Sequence, residues 1–315
     1  MVTAFLDDNG DGRPDLYVGN DEGFQPFSHA NVLWRNDGSD GHGGWKFTDV
    51  STTTAANVAI SCMGIAASDY NRKGQFNMFM TNVGNNVLLQ LGSNTVFSQL
   101  QWDTPGNAHV ARTNIPNPRT NGVGTALGVT WASGFYDFNN DGWEDLYVAG
   151  GNLAAGTSLY PSAMFVNNQD GTFLDLSILS GTNLVAMSQT NATFADFDHD
   201  GYMDIFTIGI TGTPHLFMNN AKTQGNPNHW LEVTLVGTTS NKDGVGAKLS
   251  ASVGGATLLR WVINGGGYQG NSSLVQHFGL GSATIVDSLT ITWPNGTVQT
   301  LSNVAADQRL TVTQQ

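Results

Sequence analysis

The amino-acid sequence predicts an all-β protein in which repeated units precede a β-sandwich, and three observations support this. Charged residues make up only 12% of the chain, while Gly numbers 39 and Asn, Thr and Ser are abundant, which favours turns and short strands over helices. One Asp-rich pattern occurs four times. The last part of the chain carries strands that alternate apolar and polar residues. Hydrophobic residues at 40% indicate a packed core instead of disorder.

Each copy of the repeated pattern opens with a nine-residue loop. Loops 1 to 4 are DDNGDGRPD (7–15), DYNRKGQFN (69–77), DFNNDGWED (137–145) and DFDHDGYMD (196–204). A short apolar strand is predicted after each loop, at 16–18, 78–80, 146–148 and 205–207. A second apolar segment follows, most often ending in Asn, at 31–36, 86–91, 162–168 and 214–220.

A third strand is predicted in three of the copies, at 45–51, 96–101 and 172–177. Small residues at 63–67 and 128–132 precede loops 2 and 3, as an inner strand near a crowded axis would require. Four strands per repeat of this length describe a propeller-type blade. We therefore predict blades over residues 1–225 and, after the change of texture near Asn226, a β-sandwich over residues 226–315.

The loops have the spacing of calcium sites. Calcium takes six to eight oxygen ligands, and a tight turn with acidic side chains at alternate positions brings several oxygens to one point. The predicted ligands occupy positions 1, 3, 5 and 9, with the backbone carbonyl of position 7 and a Gly at position 6, where the chain turns sharply. They are Asp7, Asn9, Asp11, Arg13 and Asp15 in loop 1, Asp137, Asn139, Asp141, Trp143 and Asp145 in loop 3, and Asp196, Asp198, Asp200, Tyr202 and Asp204 in loop 4.

Loop 2 departs from this spacing, because Lys73 stands where an acid should and Asn77 replaces the last Asp. We expect the loop from Asp69 to Asn77 to be metal-free, either because the Lys73 ammonium replaces the ion or because the repeat has decayed. About three calcium ions per chain are expected in the other loops. Because crowded carboxylates repel one another, metal binding and local folding should be coupled. The alternative for loops 1, 3 and 4 is an ordinary Asp-Asn-Gly turn.

Two other calcium-binding patterns do not fit. An EF-hand or dockerin requires an acid at position 12 and flanking helices, and the RTX pattern requires a Gly-Gly-x-Gly-x-Asp rhythm. The loops, with their following strands, instead resemble the FG-GAP/VCBS repeats of integrin α-chain propellers and many bacterial surface proteins. Near the C-terminus, HWLEVTLVG (229–237), NKDGVGAKL (241–249), FGLG (278–281) and WPNG (293–296) look like an ASPIC/UnbV domain.

The combination resembles the cartilage-acidic-protein family, in which more repeats commonly form a seven-bladed propeller. The resemblance implies an extracellular module for adhesion or assembly and no established catalytic residues. The sequence motifs agree, since G-x-S-x-G, H-E-x-x-H and the P-loop are absent. Residues 265–270 satisfy G-x-G-x-x-G but lead into a turn and a strand instead of a phosphate-binding helix. We therefore expect no enzyme activity.

Charge and hydropathy limit the partners. A net charge of −13 disfavours nucleic acid and anionic membrane surfaces, and no apolar run reaches the roughly 18 residues of a membrane span. The family resemblance leads us to expect a secreted or cell-surface location. The sequence itself starts without a signal-peptide pattern. The expected function is an extracellular calcium-binding scaffold that contacts proteins or copies of itself. The alternative function is a lectin-like module that binds glycans at Trp143 beside calcium. The competing interpretation of the tryptophans is that Trp143, Trp45 and Trp131 simply pack between blades.

Overall fold

The computed structural model of the chain consists of strands and turns, which confirms the predicted all-β class. It describes residues 1–21, 29–83, 86–92, 97–101, 110–111, 129–151, 161–182, 189–209 and 213–315. Of the segments named above, Val96 and Gly128 lie outside these ranges. Within these ranges there is no helix that is long and apolar enough to cross a membrane.

The repeats form four sheets, called sheets 1 to 4, and apart from one short edge strand in sheet 3 their neighbouring strands follow one another along the chain. Sheet 1 contains β1 (Val2–Leu6), β2 (Asp15–Gly19), β3 (Val32–Ser39) and β4 (Trp45–Asp49). Sheet 2 contains β5 (Ile65–Ser68), β6 (Asn77–Met80), β7 (Val87–Leu91) and β8 (Phe97–Gln101). This antiparallel order is the one predicted for propeller-type blades.

Sheets 3 and 4 repeat the arrangement with small differences. A short strand β9 (Val110–Ala111) precedes β10 (Val129–Tyr136), β11 (Asp145–Gly151), β12 (Ala163–Asn167) and β13 (Phe173–Asp175), and it pairs with β13 in parallel at the edge of sheet 3. Sheet 4 contains β14 (Gln189–Ala195), β15 (Asp204–Gly209) and β16 (His215–Phe217). The nine-residue loop joins β10 to β11 in sheet 3, and it joins the first strand to the second in sheets 1, 2 and 4.

The four sheets stack in chain order, because three hydrophobic clusters join neighbouring sheets. Tyr17 of sheet 1 and Met78 of sheet 2 share one cluster. Phe79 of sheet 2 and Leu146 of sheet 3 share the next, and Tyr147 of sheet 3 packs with sheet 4 in the third. The first strands of consecutive sheets also contact one another, so β1, β5, β10 and β14 form the inner side of the stack.

The C-terminal strands form two sheets around a separate hydrophobic cluster that includes Leu231, Leu249 and Trp293, in agreement with the predicted β-sandwich. One sheet has the order β20-β17-β23 and the other the order β19-β18-β21-β22. Their strands are β17 (His229–Val236), β18 (Lys248–Val253), β19 (Ala256–Trp261), β20 (Gln276–Gly281), β21 (Ile285–Thr292), β22 (Val298–Ala305) and β23 (Gln308–Thr313). The predicted boundary at residues 225 and 226 lies between β16 and β17 and stays a prediction.

The segment between β19 and β20 leaves the sandwich and runs along the inner side of the stacked sheets. The Gly266 N–H donates to the Thr3 carbonyl (2.8 Å), and the Ile65 N–H donates to the Gly266 carbonyl (2.7 Å). A Cβ on Gly265 would lie 2.5 Å from the Thr3 oxygen, so this close approach requires glycine. Backbone packing therefore explains the first glycine of the G-x-G-x-x-G stretch.

Candidate calcium-binding loops

The four loops share one backbone conformation. Position 6 is a glycine with positive φ in each loop, from 80° at Gly74 to 90° at Gly201. Position 4 also has positive φ, at Gly10 (73°), Arg72 (52°), Asn140 (57°) and His199 (67°). Loop 2 has thus kept the turn although it has lost most of its carboxylates.

The carboxylate of position 1 organises each turn by accepting two backbone hydrogen bonds. In loop 4, Asp196 Oδ1 accepts from the Asp200 N–H (3.0 Å) and Asp196 Oδ2 from the Gly201 N–H (2.9 Å). Asp7 and Asp137 make the same pair of bonds in loops 1 and 3. In each of these loops the carboxylate of position 5 accepts from the N–H of position 7. The side chains of positions 1 and 5 are therefore both turned towards the inside of the loop.

The carboxylate of position 9 ties the loop to the third strand of its sheet. Asp145 Oδ2 accepts from the Phe138 N–H (3.1 Å), and Asp145 Oδ1 accepts from the Asn167 N–H (2.9 Å). Asp15 with Asn36 and Asp204 with Asn219 repeat this arrangement. These are the Asn residues that end the second apolar segments.

The side chains of these Asn residues also join consecutive repeats. Asn167 Nδ2 donates to the Glu144 carbonyl of its own loop (3.0 Å) and to the Tyr70 carbonyl of loop 2 (2.9 Å). Asn219 Nδ2 donates in the same way to Met203 of loop 4 and Phe138 of loop 3. In repeat 2 the corresponding residue is Leu91, which lies opposite Phe97 in the pairing of β7 with β8. The loss of this Asn accompanies the loss of the last Asp of loop 2.

Loop 4 brings three carboxylates together most closely. Oxygen atoms of Asp196, Asp198 and Asp204 lie within 4.8 Å of one another, as a shared cation would require. In loops 1 and 3 position 3 is Asn, and its side-chain oxygen accepts from the N–H of position 5 (2.9 Å in each loop). The carboxylate and amide oxygens are hard donors that fit calcium. The ligand roles of all fifteen residues, including the carbonyls of Arg13, Trp143 and Tyr202, stay predictions.

The electrostatics of the loops also fit a bound cation. Burial raises the pKa of Asp15 to about 8, and burial together with Asp141 raises the pKa of Asp137 to about 8. Burial, with the nearby charge of Asp137, raises the pKa of Asp145 as well. Carboxylates in these positions are costly as bare anions, and a divalent cation between them removes that cost.

Loop 2 carries two positively charged side chains, Lys73 and Arg72, and the sequence suggested that Lys73 takes the place of the ion. Lys73 is exposed, and within the described part of the chain its ammonium forms no ion pair with Asp69. The neighbouring Arg72 instead reaches loop 3, where it lies 3.9 Å from the Trp143 ring centroid and donates to the Gly142 carbonyl. The idea that Lys73 replaces the ion in loop 2 therefore has no support in the geometry.

The C-terminal domain packs directly on loops 3 and 4. The Gly281 N–H donates to the Asn140 carbonyl (2.8 Å), and Asn140 Nδ2 donates to the Gly201 carbonyl (3.0 Å). His277 Nε2 also bonds the Gly201 carbonyl (3.1 Å). Arg309 Nη2 lies 3.0 Å from Asp196 Oδ2. Loop 3, loop 4 and the second domain thus form one hydrogen-bonded junction.

Arg309 links two buried carboxylates at this junction. Its Nε lies 2.8 Å from Glu232 Oε2, while its Nη2 contacts Asp196 in loop 4. Burial raises the pKa of Glu232 to about 7, and the charge of Arg309 acts in the opposite direction. Sequence reasoning missed Arg309, because nothing in the sequence connects β23 with a loop more than a hundred residues earlier.

A second buried ion pair lies nearby in a polar cavity of about 110 Å³ between sheets 2 and 3 and the second domain. Arg260 Nη1 is 3.3 Å from Glu144 Oε2, which also accepts from Ser68 Oγ (2.5 Å). Glu144 is the eighth residue of loop 3, a position without a predicted role. Polar walls of this kind suit ordered water, which makes the cavity part of the domain junction.

Comparison with known proteins agrees with the sequence motifs. A family model described as "ASPIC and UnbV" matches residues 237–315, and one described as "FG-GAP-like repeat" matches residues 137–207, which include loops 3 and 4. Cartilage acidic protein 1 of Xenopus tropicalis is 27% identical over 299 residues, covering 91% of this chain and 40% of that protein. The Mus musculus protein is 27% identical over 293 residues, covering 90% of this chain and 40% of that protein.

The chain therefore spans about two fifths of the length of these relatives. A solved structure of an Agrocybe aegerita lectin, whose title describes recognition of non-reducing terminal N-acetylglucosamine, aligns with a TM-score of 0.34 and 14% identity. The alignment covers 96% of this chain and 79% of the lectin chain. The predicted resemblance is confirmed by the family matches: the chain carries an FG-GAP-like repeat and a C-terminal ASPIC and UnbV domain, and it is similar to cartilage acidic protein over about nine tenths of its length.

Proposed function

We propose that this chain is an extracellular calcium-binding scaffold in which calcium has a structural role. The observation that carries the proposal is the group formed by Asp196, Asp198 and Asp204, whose oxygens lie within 4.8 Å of one another in loop 4. Loops 1 and 3 repeat the turn and its hydrogen bonds. Calcium, when bound, supplies positive charge at the point where these carboxylates meet.

The hydrogen bonds around the loops indicate what this charge would stabilise. Position 9 holds the end of the third strand, and the Asn at that strand end reaches back to the preceding loop. A cation in loop 3 or loop 4 therefore acts on the joint between two repeats. The same loops contact the C-terminal domain through Gly281, His277 and Arg309, so the effect extends to the domain junction. This is a structural role, and the proposal assigns the chain no catalytic residues.

The extracellular location and the protein partners rest on the relatives and on charge. The similarity to cartilage acidic protein supports a secreted or cell-surface protein. The net charge of −13 disfavours nucleic acid and anionic membranes as partners. Protein surfaces, including a second copy of the chain, are the partners that the broad sheet faces suit.

The carbohydrate-binding alternative depends on an exposed aromatic ring near calcium, and the three Trp residues differ in this respect. Trp131 is buried against Tyr268, with ring centroids 4.7 Å apart. Trp143 is half-buried and has Arg72 over its ring. Trp45 is exposed at the start of β4, where it pairs with Ser39 at the end of β3. A glycan array probed in calcium tests this alternative, which requires binding that chelator abolishes.

Calorimetric calcium titration of single-loop variants tests the proposal. Asp15→Asn, Asp137→Asn and Asp204→Asn should each lose one bound ion, because each removes one charged oxygen ligand from a different loop. Asp243→Asn, which changes an exposed acid of the second domain, is the matched control and should bind as many ions as the wild type. Equal calcium binding by all four variants would contradict the assignment of the sites.

A further inference from the structure

The stacked sheets obey a packing rule that is visible at one repeated position. Tyr17, Phe79 and Tyr147 are the third residues of β2, β6 and β11, and all three are fully buried. Each belongs to the cluster that its sheet shares with the following sheet. Phe206 holds the same position in β15, where the described part of the chain provides no following sheet, and it is only half-buried.

The other face of each sheet follows the complementary rule. Met78, Leu146 and Ile205 are the residues just before this position in sheets 2, 3 and 4, and each is buried in the cluster shared with the preceding sheet. Leu16 is the equivalent residue of sheet 1, and it too is only half-buried. Sheets 2 and 3 are thus covered on both faces, while sheets 1 and 4 each retain one face without a neighbouring sheet among the described residues.

Both remaining faces are apolar. On sheet 4, Phe206 pairs with Leu216, and with Ile208 they form the sheet 4 end face, on which Leu216 is 49% and Ile208 43% exposed. On sheet 1, Phe5 and Trp34 both pair with Leu16, and these three form the sheet 1 end face, on which Phe5 is 42% and Trp34 37% exposed. Large side chains grouped in this way on a sheet indicate an interaction surface.

We propose that the sheet 1 end face of one copy of this chain packs on the sheet 4 end face of a second copy. The two faces are the two halves of an interface that the chain already forms three times within itself. At each internal interface, the face that carries Tyr17 or its equivalent packs on the face of the next sheet that carries Met78 or its equivalent. Unlike faces therefore meet, and the contact between copies is head-to-tail. The inference deepens the proposed scaffold function and rests on it, since the contact is a form of self-assembly.

The geometry of a head-to-tail contact determines the product. A heterologous interface forms a ring when the rotation closes and an open chain of copies when it does not. Two copies would together supply eight stacked sheets, which is within the roughly four to eight blades of closed propellers. A discrete dimer and a longer assembly both fit the proposal, and both use the same pair of faces.

Sedimentation velocity of the intact chain in calcium, over a wide range of protein concentration, tests the proposal. The wild type should associate, and Leu216→Glu and Trp34→Glu should each weaken association by at least about tenfold, because each places a charge in one end face. Val298→Glu is the matched control: Val298 is 63% exposed on β22 of the second domain and belongs to neither end face, so this variant should associate as the wild type does.

Mixing the two end-face variants tests the orientation. Leu216→Glu retains an intact sheet 1 end face and Trp34→Glu an intact sheet 4 end face, so an equimolar mixture should form a dimer that neither variant forms alone. A monomeric wild type at the highest concentration, unchanged association of either variant, or a mixture that stays monomeric would overturn the inference. Calcium binding measured on the same samples separates the two proposals, because a monomer that binds calcium refutes this inference alone, whereas absence of calcium binding refutes the proposed function.

Discussion

Replacing Asn167 with Ala should weaken the joint between repeats 2 and 3 without disturbing the ligands of loop 3. The Asn167 side chain donates to the Tyr70 and Glu144 carbonyls, at 2.9 and 3.0 Å, and its Oδ1 accepts from the Gln169 N–H at 2.8 Å. Alanine removes all three bonds. The bond to Asp145 comes from the backbone N–H of residue 167 and stays in place.

The expected loss follows from the burial of these groups. Asn167 is 4% exposed, so two carbonyls inside the joint lose their side-chain donor where water does not easily replace it. A buried hydrogen bond contributes about 1 kcal/mol net to stability, and a buried acceptor that is left without a donor lowers the stability by more than that. We therefore expect Asn167→Ala to lower the free energy of unfolding by about 2 to 3 kcal/mol.

Urea unfolding in saturating calcium measures this loss, and the adjacent residue provides the control. Asn168 is exposed, and within the described residues its side chain bonds Thr172 alone, so Asn168→Ala should cost less than about 0.5 kcal/mol. Calcium stoichiometry should be the same for the wild type and both variants. A loss in Asn167→Ala no larger than that in Asn168→Ala would refute the claim that this side chain joins the repeats.

Two further predictions concern the domain junction. Arg309→Met should lower the free energy of unfolding by about 2 kcal/mol in chelator, a value that allows for the partly exposed guanidinium. In calcium the loss should be smaller, because the ion also neutralises Asp196. Arg35→Met, which breaks a surface pair with Asp37 among the described residues, should cost much less in chemical denaturation, and equal losses in the two variants would contradict the junction. Burial lowers the pKa of His277 to about 4, below the roughly 6.5 of an unfolded chain, so the unfolded state binds its proton first and stability falls as pH drops between these values. Between pH 7 and pH 5 the wild type should therefore lose about 2 kcal/mol more than His277→Gln, and identical pH profiles of unfolding would show that His277 is not buried neutral.

Much of the local structure could be predicted from the sequence, because the loops and their strands are specified by neighbouring residues. Position 6 needs glycine, the apolar segments after the loops are too short for helices, and the acids at alternate positions define the turn. The strands β2, β6, β11 and β15 follow their loops as expected. Local patterns of this kind carry over directly from sequence to structure.

The contacts between repeats and domains could not be predicted, because they depend on residues far apart in the chain. The Asn endings of the second segments were visible, but their bonds to the preceding loop follow from the stacking of sheets. The glycine stretch at 265–270 was also visible, yet its fit against Thr3 and Ile65 follows from the path of the second domain. Arg72 and Arg309 carry no sequence signal that connects them with loops 3 and 4.

Calcium binding by the chain, measured together with thermal unfolding in calcium and in chelator, tests whether loops 1, 3 and 4 hold structural calcium. We expect one ion for each of loops 1, 3 and 4, none for loop 2, and a large fall in the melting temperature when calcium is removed. A chain that binds no calcium and melts at the same temperature in both conditions would show that the loops are ordinary turns and would refute the structural role of calcium.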